Sequence, residues 1–522
     1  MDYKKNLIGN MITGTGGYCI KIVANLLMVP LIIRFLGADD YGFYIFLFGT
    51  IDILTALEMG FANALIQRLS HYSTLGNTIK QQEQLLLGQY LFLGLSVLTV
   101  LAGLPLSGTL AEFFNLTPKQ LQVAPLLFNI VFIDSAINLY GFYYQAVLKS
   151  HCLHRWISVS DTLQAIISTT LYLLLLIQGH GIVAIFMARL AISVLNNTAY
   201  LVMAARVEKN CFHWRTRCTK AGFRELTGIS FFVFLQRLSK LFARQMDAVL
   251  LARFMTLADV GIYGFVNRIF SYLAWFFLQF IDGISPVFTR LKASKDLEKS
   301  RMLYLRISAL CCFLISLFII LIAGIFPEIV AILGANRIDF QIAWILALVI
   351  LPAIWSDAIS APGLNYLMST GNHRRITVLN FSVAIVNFLL SWWLVGQIGL
   401  YGPALATTSI NVLYNQFITN PLACQQLKIS NVRFIREVYL SNLPPLLLAG
   451  LLVGLGRLAY QNWQLNIILF GIILIFSSVA ACGLWFGFSA NPLERTLILS
   501  KWNDLLSRSP FIFLNLRKEK VI

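Results

Sequence analysis

The chain has 522 residues, of which 58% are hydrophobic and 12% charged, and carries a net charge of +17 at pH 7. A soluble protein of this length would divide into domains with polar surfaces, and a mean hydropathy of +0.74 leaves too little polar sequence to cover them. The excess of positive charge invites a nucleic-acid reading, but most of it lies in segments between apolar runs, which argues against that class.

An apolar run of roughly 20 residues spans a bilayer core, and only as a helix can it satisfy its own backbone there. The chain contains about fourteen such runs, so the expected fold class is an all-α integral membrane protein. The first six centre near Ala24, Thr55, Leu95, Ile133, Ser168 and Ser193 and make up a first lobe, residues 1–205. A basic linker, residues 206–224, follows with Arg206, Lys209, Arg215, Arg217, Lys220 and Arg224. Six more runs, centred near Lys240, Tyr272, Ile315, Leu351, Ile385 and Ile410, form a second lobe, residues 225–424. An extra pair near Leu448 and Ile475 occupies residues 425–490. In the tail, residues 491–522, Leu493, Leu497, Trp502, Leu505 and Leu506 recur at helical spacing among Arg495, Lys501 and Arg508, which reads as an amphipathic interfacial helix or a plain structural cap.

Lys4, Lys5, the basic linker, the stretch from Arg290 to Arg301 and the tail residues Arg517, Lys518 and Lys520 all fall on one side of this topology. Only Arg34, Lys119, Arg253, Arg337 and Arg457 fall on the other. The asymmetry is the positive-inside rule and predicts that both termini are cytoplasmic, with anionic-lipid contact a secondary use of the basic loops. The first apolar run is long and has no small-residue cleavage site, so it is expected to stay as a helix. The eight cysteines fall in helices or inner loops without a CxxC pair and read as small buried hydrophobes.

The two lobes repeat one another at an offset of about 219 residues. Arg34, Phe35, Asp40, Gly42 and Tyr44 return as Arg253, Phe254, Asp259, Gly261 and Tyr263. Lys21 returns as Lys240, His154 and Arg155 as His373 and Arg374, and Gly181, Ala188 and Asn197 as Gly399, Ala406 and Asn415. An even number of helices per half keeps both halves in the same orientation, so the repeat is parallel and its pseudo-axis lies along the membrane normal. The outer loops are short, and GxxxxGK[ST], HExxH and nucleophile-elbow patterns are absent from the sequence, so no enzyme activity, cofactor or nucleotide is expected.

Charges inside membrane helices cost about 2.5–3.5 kcal/mol each on insertion scales and mark candidate sites. Arg237, Lys240, Arg244 and Asp247 share one face of the seventh helix, and Gly14, Gly17, Tyr18, Lys21 and Asn25 share one face of the first. Arg189 shares a face with Ser193 and Asn196, and Arg268 follows Asn267. The carboxylates available deep in helices are Asp52, Glu58, Asp134, Asp161, Asp247 and Asp357. Two readings stay open. The charges pair internally, for example Lys21 with Glu58 or Arg244 with Asp247, or they line a cationic cavity for an anionic group, with Arg suited to phosphate by its bidentate fork.

The segment Pro30–Leu65, with Arg34-Phe-Leu-Gly37, Tyr41-Gly42-Phe-Tyr44 and Glu58-Met-Gly60-Phe-Ala-Asn-Ala64, resembles the opening of bacterial polysaccharide flippases in the multidrug/oligosaccharidyl-lipid/polysaccharide (MOP) exporter superfamily. Asp247 through Tyr263, and Asn387 followed by Gly399 and Ala404-Leu-Ala-Thr407, resemble that family's second half. The resemblance implies an inner-membrane flippase that moves an undecaprenyl-diphosphate-linked oligosaccharide, such as an O-antigen unit, outward by alternating access. It implies two lobes around a cationic cavity in which Lys21, Asn25, Arg189, Arg237, Lys240, Arg244 and Arg268 meet the headgroup. Asp247, Glu58, Asp134 and Asp357 are then candidates for proton or sodium coupling. Membrane lipids and the machinery of polysaccharide polymerisation and export are the implied partners. The extra helix pair is similar to that of peptidoglycan-precursor flippases, and a multidrug or cation antiporter on the same fold is the alternative.

Overall fold

The computed structural model describes residues 3–58, 60–208, 219–282, 288, 291–292, 294, 296–334, 338–369, 373–462 and 467–488. The middle of the basic linker and the amphipathic tail expected from the sequence lie outside them. Among the described residues there is no strand. The first half consists of α1 (Tyr3–Leu36), α2 (Ala38–Thr55), α3 (Phe61–Thr74), α4 (Thr78–Phe113), α5 (Pro118–Ser150), α6 (His154–Ile177) and α7 (Ile182–Val207). The second half consists of α8 (Lys220–Phe254), α9 (Leu257–Asp282), α10 (Leu297–Leu333), α11 (Phe340–Leu367), α12 (His373–Ile398), α13 (Tyr401–Tyr414) and α14 (Asn420–Leu427). After it come the single turn α15 (Asn431–Phe434) and the long helices α16 (Leu443–Asn462) and α17 (Ile467–Phe488).

Ten spans among the described residues are long and apolar enough to cross a membrane. One of them, Ala38–Thr74, is α2 and α3 joined through the tight turn Ala56–Glu58, where Gly60 adopts a left-handed φ of 75° that a side chain would resist. α8, with Arg237, Lys240, Arg244 and Asp247 in its sequence, is not among the ten. Large apolar side chains point outward along whole helices, for example Leu447, Leu451, Leu455 and Leu458 on α16. In water such a stripe would be an aggregation patch; in a bilayer it is the normal lipid-facing surface.

Helix ends follow from local chemistry. Thr117 and Gln120 form a reciprocal capping box at the start of α5, with Pro118 at its first position. Asn77 caps α4 and Asp339 caps α11 through their side-chain oxygens, which satisfy amides the helix itself leaves unpaired. Thr219 caps α8, and Glu83 of α4 accepts from both its amide, at 3.0 Å, and its hydroxyl, at 2.6 Å.

The repeat read from the sequence is visible as repeated packing. α1 lies against α6 as α8 lies against α12, and α5 lies against α7 as α11 lies against α13. The two halves meet where α2 crosses α9, at the glycines that the repeat makes equivalent. A Cβ on Gly42 would sit 1.6 Å from the Leu257 carbonyl oxygen, and one on Gly261 would sit 2.9 Å from that of Ala38. Backbone approaches backbone there, and only glycine allows it.

The chain forms two compact units, Met1–Lys295 with Phe326–Ala423, and Asp296–Ile325 with Cys424–Ile522. The unit that holds the extra helix pair therefore also contains the first part of α10. Its core joins Phe313 and Leu317 to Ala449 and Ala481, and the Phe313 and Trp485 rings stack at 5.3 Å. Asn442 ties the unit together, donating to the Ala309 carbonyl at 2.9 Å and accepting from the Trp485 indole at 3.0 Å.

Candidate functional site

In the first unit, a cavity of about 400 Å³ opens between the helices of the two halves. α2 contributes Phe48 and Asp52, α8 Gln245 and Asp247, α9 Tyr263, Asn267, Arg268 and Ser271, α11 Asp357, and α13 Thr407, Thr408 and Asn411. Its apolar lining mixes small residues, among them Gly49, Ala353, Ala358 and Ala404, with Ile45, Ile350 and Ile354. Polar groups thus converge in a slab where each needs a partner.

Asp247 is the deepest of them, 3% exposed. Its carboxylate accepts from the Tyr263 hydroxyl at 2.6 Å and the Thr407 hydroxyl at 3.2 Å on one oxygen, and from Ser391 at 3.4 Å on the other. The Asn387 amide donates to the Thr407 oxygen at 3.1 Å, which leaves that hydroxyl's one proton for Asp247. Hydroxyls from α9, α12 and α13 therefore converge on the α8 carboxylate and satisfy it within the bundle.

The other two acids are open to the cavity. Asp52 accepts from the Gln245 amide at 2.8 Å, and Asp357 accepts from Asn415 at 2.7 Å and Asn411 at 3.4 Å. Asn415 begins a π-helical turn, Asn415–Thr419, that continues α13 and aims the amide at Asp357. Such turns are frequent at functional sites. Arg268 lies over the Tyr44 ring with its guanidinium carbon 5.7 Å from the ring centre, a cation–π arrangement.

Two charged pairs sit in the first half, outside the cavity lining. Arg189 pairs with Asp134 at 3.0 Å, and its guanidinium stacks 4.4 Å above Phe48. Asp134 is buried and the Arg189 side chain is 23% exposed, so this is a partly buried ion pair. Lys21 pairs with Asp161 of α6 at 3.0 Å, and Tyr200 of α7 donates to the other Asp161 oxygen.

Of the residues singled out from sequence, the structure brings Asp52, Asp247, Arg268 and Asp357 together on the cavity wall. Lys21 is engaged by Asp161, not by Glu58 as the internal-pairing reading suggested, because the α1–α6 contact places that carboxylate beside it. Glu58 is buried in the turn between α2 and α3, against α4, α5 and α8. Asn25 is exposed on α1, one turn from Lys21. Arg237, Lys240 and Arg244 belong to α8, and their side chains lie outside the described residues. The sequence reading did not single out Tyr263, Ser391 and Thr407 as partners of Asp247. The first had a signal, since it is the repeat mate of Tyr44; the hydroxyls of α12 and α13 had none, because serine and threonine are common in membrane helices.

Solved structures share this fold. The lipid II flippase MurJ in an inward closed conformation is 13% identical, with a TM-score of 0.70, and the match covers 95% of this chain and 100% of that one. An inward-facing multidrug resistance MATE family transporter of the MOP superfamily is 12% identical with a TM-score of 0.66, covering 78% of this chain and 94% of its own. A MOP superfamily transporter from Pyrococcus furiosus, whose binding pocket is described as reversed in polarity, is 13% identical with a TM-score of 0.52, covering 82% and 96%. No curated protein matches the sequence. The profile of the polysaccharide biosynthesis protein family matches residues 7–292, more than half of the chain. This multi-pass helical membrane protein, with the fold of the MOP transporters, belongs to the polysaccharide biosynthesis protein family.

Proposed function

We propose that the protein is a flippase that carries an undecaprenyl-diphosphate-linked oligosaccharide from the cytoplasmic to the outer leaflet of the inner membrane. The observation that carries the reading is a polar cavity lined by both halves of a parallel-repeat bundle, in a chain of the polysaccharide biosynthesis family. A headgroup crossing the slab must exchange its hydration for fixed polar groups, and a cavity between two halves offers them to one leaflet at a time when the halves rock. The diphosphate is assigned to the basic face of α8, Arg237, Lys240 and Arg244, together with Arg268, Arg189, Lys21 and Asn25. The lipid tail stays in the bilayer. Both termini lie in the cytoplasm, and the polymerisation and export machinery takes the product.

Asp247 is the coupling group in this reading. A carboxylate held by three hydroxyls from α9, α12 and α13, with an asparagine amide nearby, binds and releases a proton or sodium ion. Glu58, Asp134 and Asp357 take secondary places: Asp134 is committed to Arg189, and Asp357 faces the cavity.

A second reading, a cation or multidrug antiporter, is favoured by one observation. The described cavity wall holds Asp52, Asp247 and Asp357 against the single guanidinium of Arg268. A peptidoglycan lipid precursor is the alternative glycolipid. Cells that lack their own polysaccharide flippase and express this chain decide among these. Restored surface glycan supports the proposal. Efflux of cationic dyes without restored glycan supports the antiporter, and rescue of peptidoglycan precursor transport alone supports the third reading.

A further inference from the structure

The first half carries a charge cluster that its repeat partner lacks. Lys21 of α1 pairs with Asp161 of α6 at 3.0 Å, and Tyr200 of α7 donates to the other carboxylate oxygen. Lys149, at the end of α5, is within electrostatic reach of the same carboxylate, and His154 is within reach of Lys149. Ser160 donates to the Asn196 side-chain oxygen at 2.6 Å, and the Asn196 amide donates to Gln164 at 2.8 Å, so polar groups of α6 and α7 continue the cluster. Asp161 lies two turns from the start of α6, about 10 Å along its axis, at the end that the positive-inside reading places at the cytoplasm.

The 219-residue offset returns Lys21 as Lys240, but it returns Asp161 as Asn380 and Lys149 as Met368. Asn380 takes a hydrogen bond from Tyr414 at 2.6 Å, as Asp161 takes one from Tyr200, and α8 packs on α12 as α1 packs on α6. A neutral amide therefore serves that packing in the second half, and the carboxylate and second lysine of the first half are not needed for it. The Lys21 and Asp161 side chains are 30% and 33% exposed. Lipid contact is costly for a charge, so their open side faces an aqueous space. A pair this exposed is weak and open to exchange with another anion.

Two ammonium groups around one carboxylate suit a more highly charged anion. A diphosphate has that charge and more acceptor oxygens than a carboxylate, and lysines hold phosphate as point charges. We infer that Lys21 and Lys149 form the cytoplasmic docking site for the diphosphate of the lipid-linked substrate, with Asp161 as a built-in competitor that holds the lysines when the site is empty and weakens it when filled. The inference rests on the flippase reading and deepens it by naming where the headgroup docks first and which residue sets its affinity. A carrier must release what it binds, and a like charge beside the bound anion speeds release.

The test measures binding of farnesyl diphosphate, a short polyprenyl diphosphate without sugar, to purified full-length protein in nanodiscs of neutral phosphatidylcholine at fixed salt. Inorganic diphosphate is the second ligand. Asp161→Asn, which copies the second half, is expected to bind farnesyl diphosphate at least about tenfold tighter than wild type, and Lys149→Gln at least about fivefold weaker. A purely structural Asp161 predicts unchanged or weaker binding in Asp161→Asn, and that result overturns the inference, as does wild-type affinity in Lys149→Gln. Inorganic diphosphate bound as tightly as the farnesyl compound makes the ligand a soluble anion and overturns the docking of a lipid. Each of these outcomes leaves the flippase reading standing, because that reading is judged by leaflet transfer of the glycolipid by wild type in vesicles. Absence of that transfer overturns the flippase reading and this inference with it. If Asp161→Asn does not fold by thermal melting, the Lys149→Gln comparison decides alone.

Discussion

Asp134 and Asp247 are both nearly fully buried acids in membrane helices, and the chain satisfies them in opposite ways. Asp134 has a guanidinium partner at 3.0 Å, whereas Asp247 has only neutral donors among the described residues. Removing Asp134 leaves the partly exposed Arg189 guanidinium uncompensated, which costs less than the roughly 3–5 kcal/mol of a fully buried pair. Asp134→Ala is therefore expected to lower stability in thermal unfolding measured in detergent, and a melting temperature equal to wild type would contradict the pairing. Asp247→Asn should fold normally, since the amide keeps most of the hydrogen bonds, yet lose any stimulation of transport by a proton or sodium gradient. A variant that still responds to the gradient removes Asp247 from the coupling role. The Lys21–Asp161 pair is a third case. Both side chains are about one-third exposed, at 30% and 33%, so it contributes only about 0–1 kcal/mol and Lys21→Ala should melt close to wild type. At this scale the sequence was legible only in part. It marked Lys21, Arg189, Asp161 and Asp247 because charge in an apolar run is conspicuous, but that Asp161 of α6 meets Lys21 and takes a hydrogen bond from Tyr200 of α7 depends on which helices pack together, and spacing along one chain segment cannot show that.

The crossing of α2 and α9 is set by two glycines rather than by interlocking side chains. Gly42→Val would drive a side chain into the Leu257 carbonyl, a backbone atom with no rotamer to escape to. Overpacking of this kind costs about 1–3 kcal/mol, and here the strain falls on the contact that joins the halves. The variant is expected to melt lower and to transport poorly, with Gly261→Val in the same direction; thermal melts and transport at wild-type levels for both would show that the crossing tolerates a Cβ. This feature could be read early, because the 219-residue offset already set Gly42 against Gly261 and Tyr44 against Tyr263. Helix ends were also legible where a turn residue or cap stands, as at Asn77, Thr117 and Asp339. The number of crossings was less so: α8 carries charge through its middle, and a hydropathy window weighs that charge against it even though the helix packs on α12.

For the whole molecule, composition alone dictated a helical membrane protein, because 12% charged residues cannot clothe soluble domains of this size. Neither the mixed chemistry of the cavity nor the grouping of the extra pair with the first part of α10 could be read in the same way, since both depend on which helices come together. The most direct measurement is leaflet transfer of a polyprenyl-diphosphate-linked oligosaccharide in vesicles containing wild type, Lys240→Ala or Arg244→Ala. The account predicts transfer by wild type and at least a tenfold loss in each variant with insertion and folding retained, the size of about 1.4 kcal/mol of lost headgroup stabilisation. Wild-type rates in both variants, or vesicles in which wild type moves cationic dyes but no glycolipid, would contradict it.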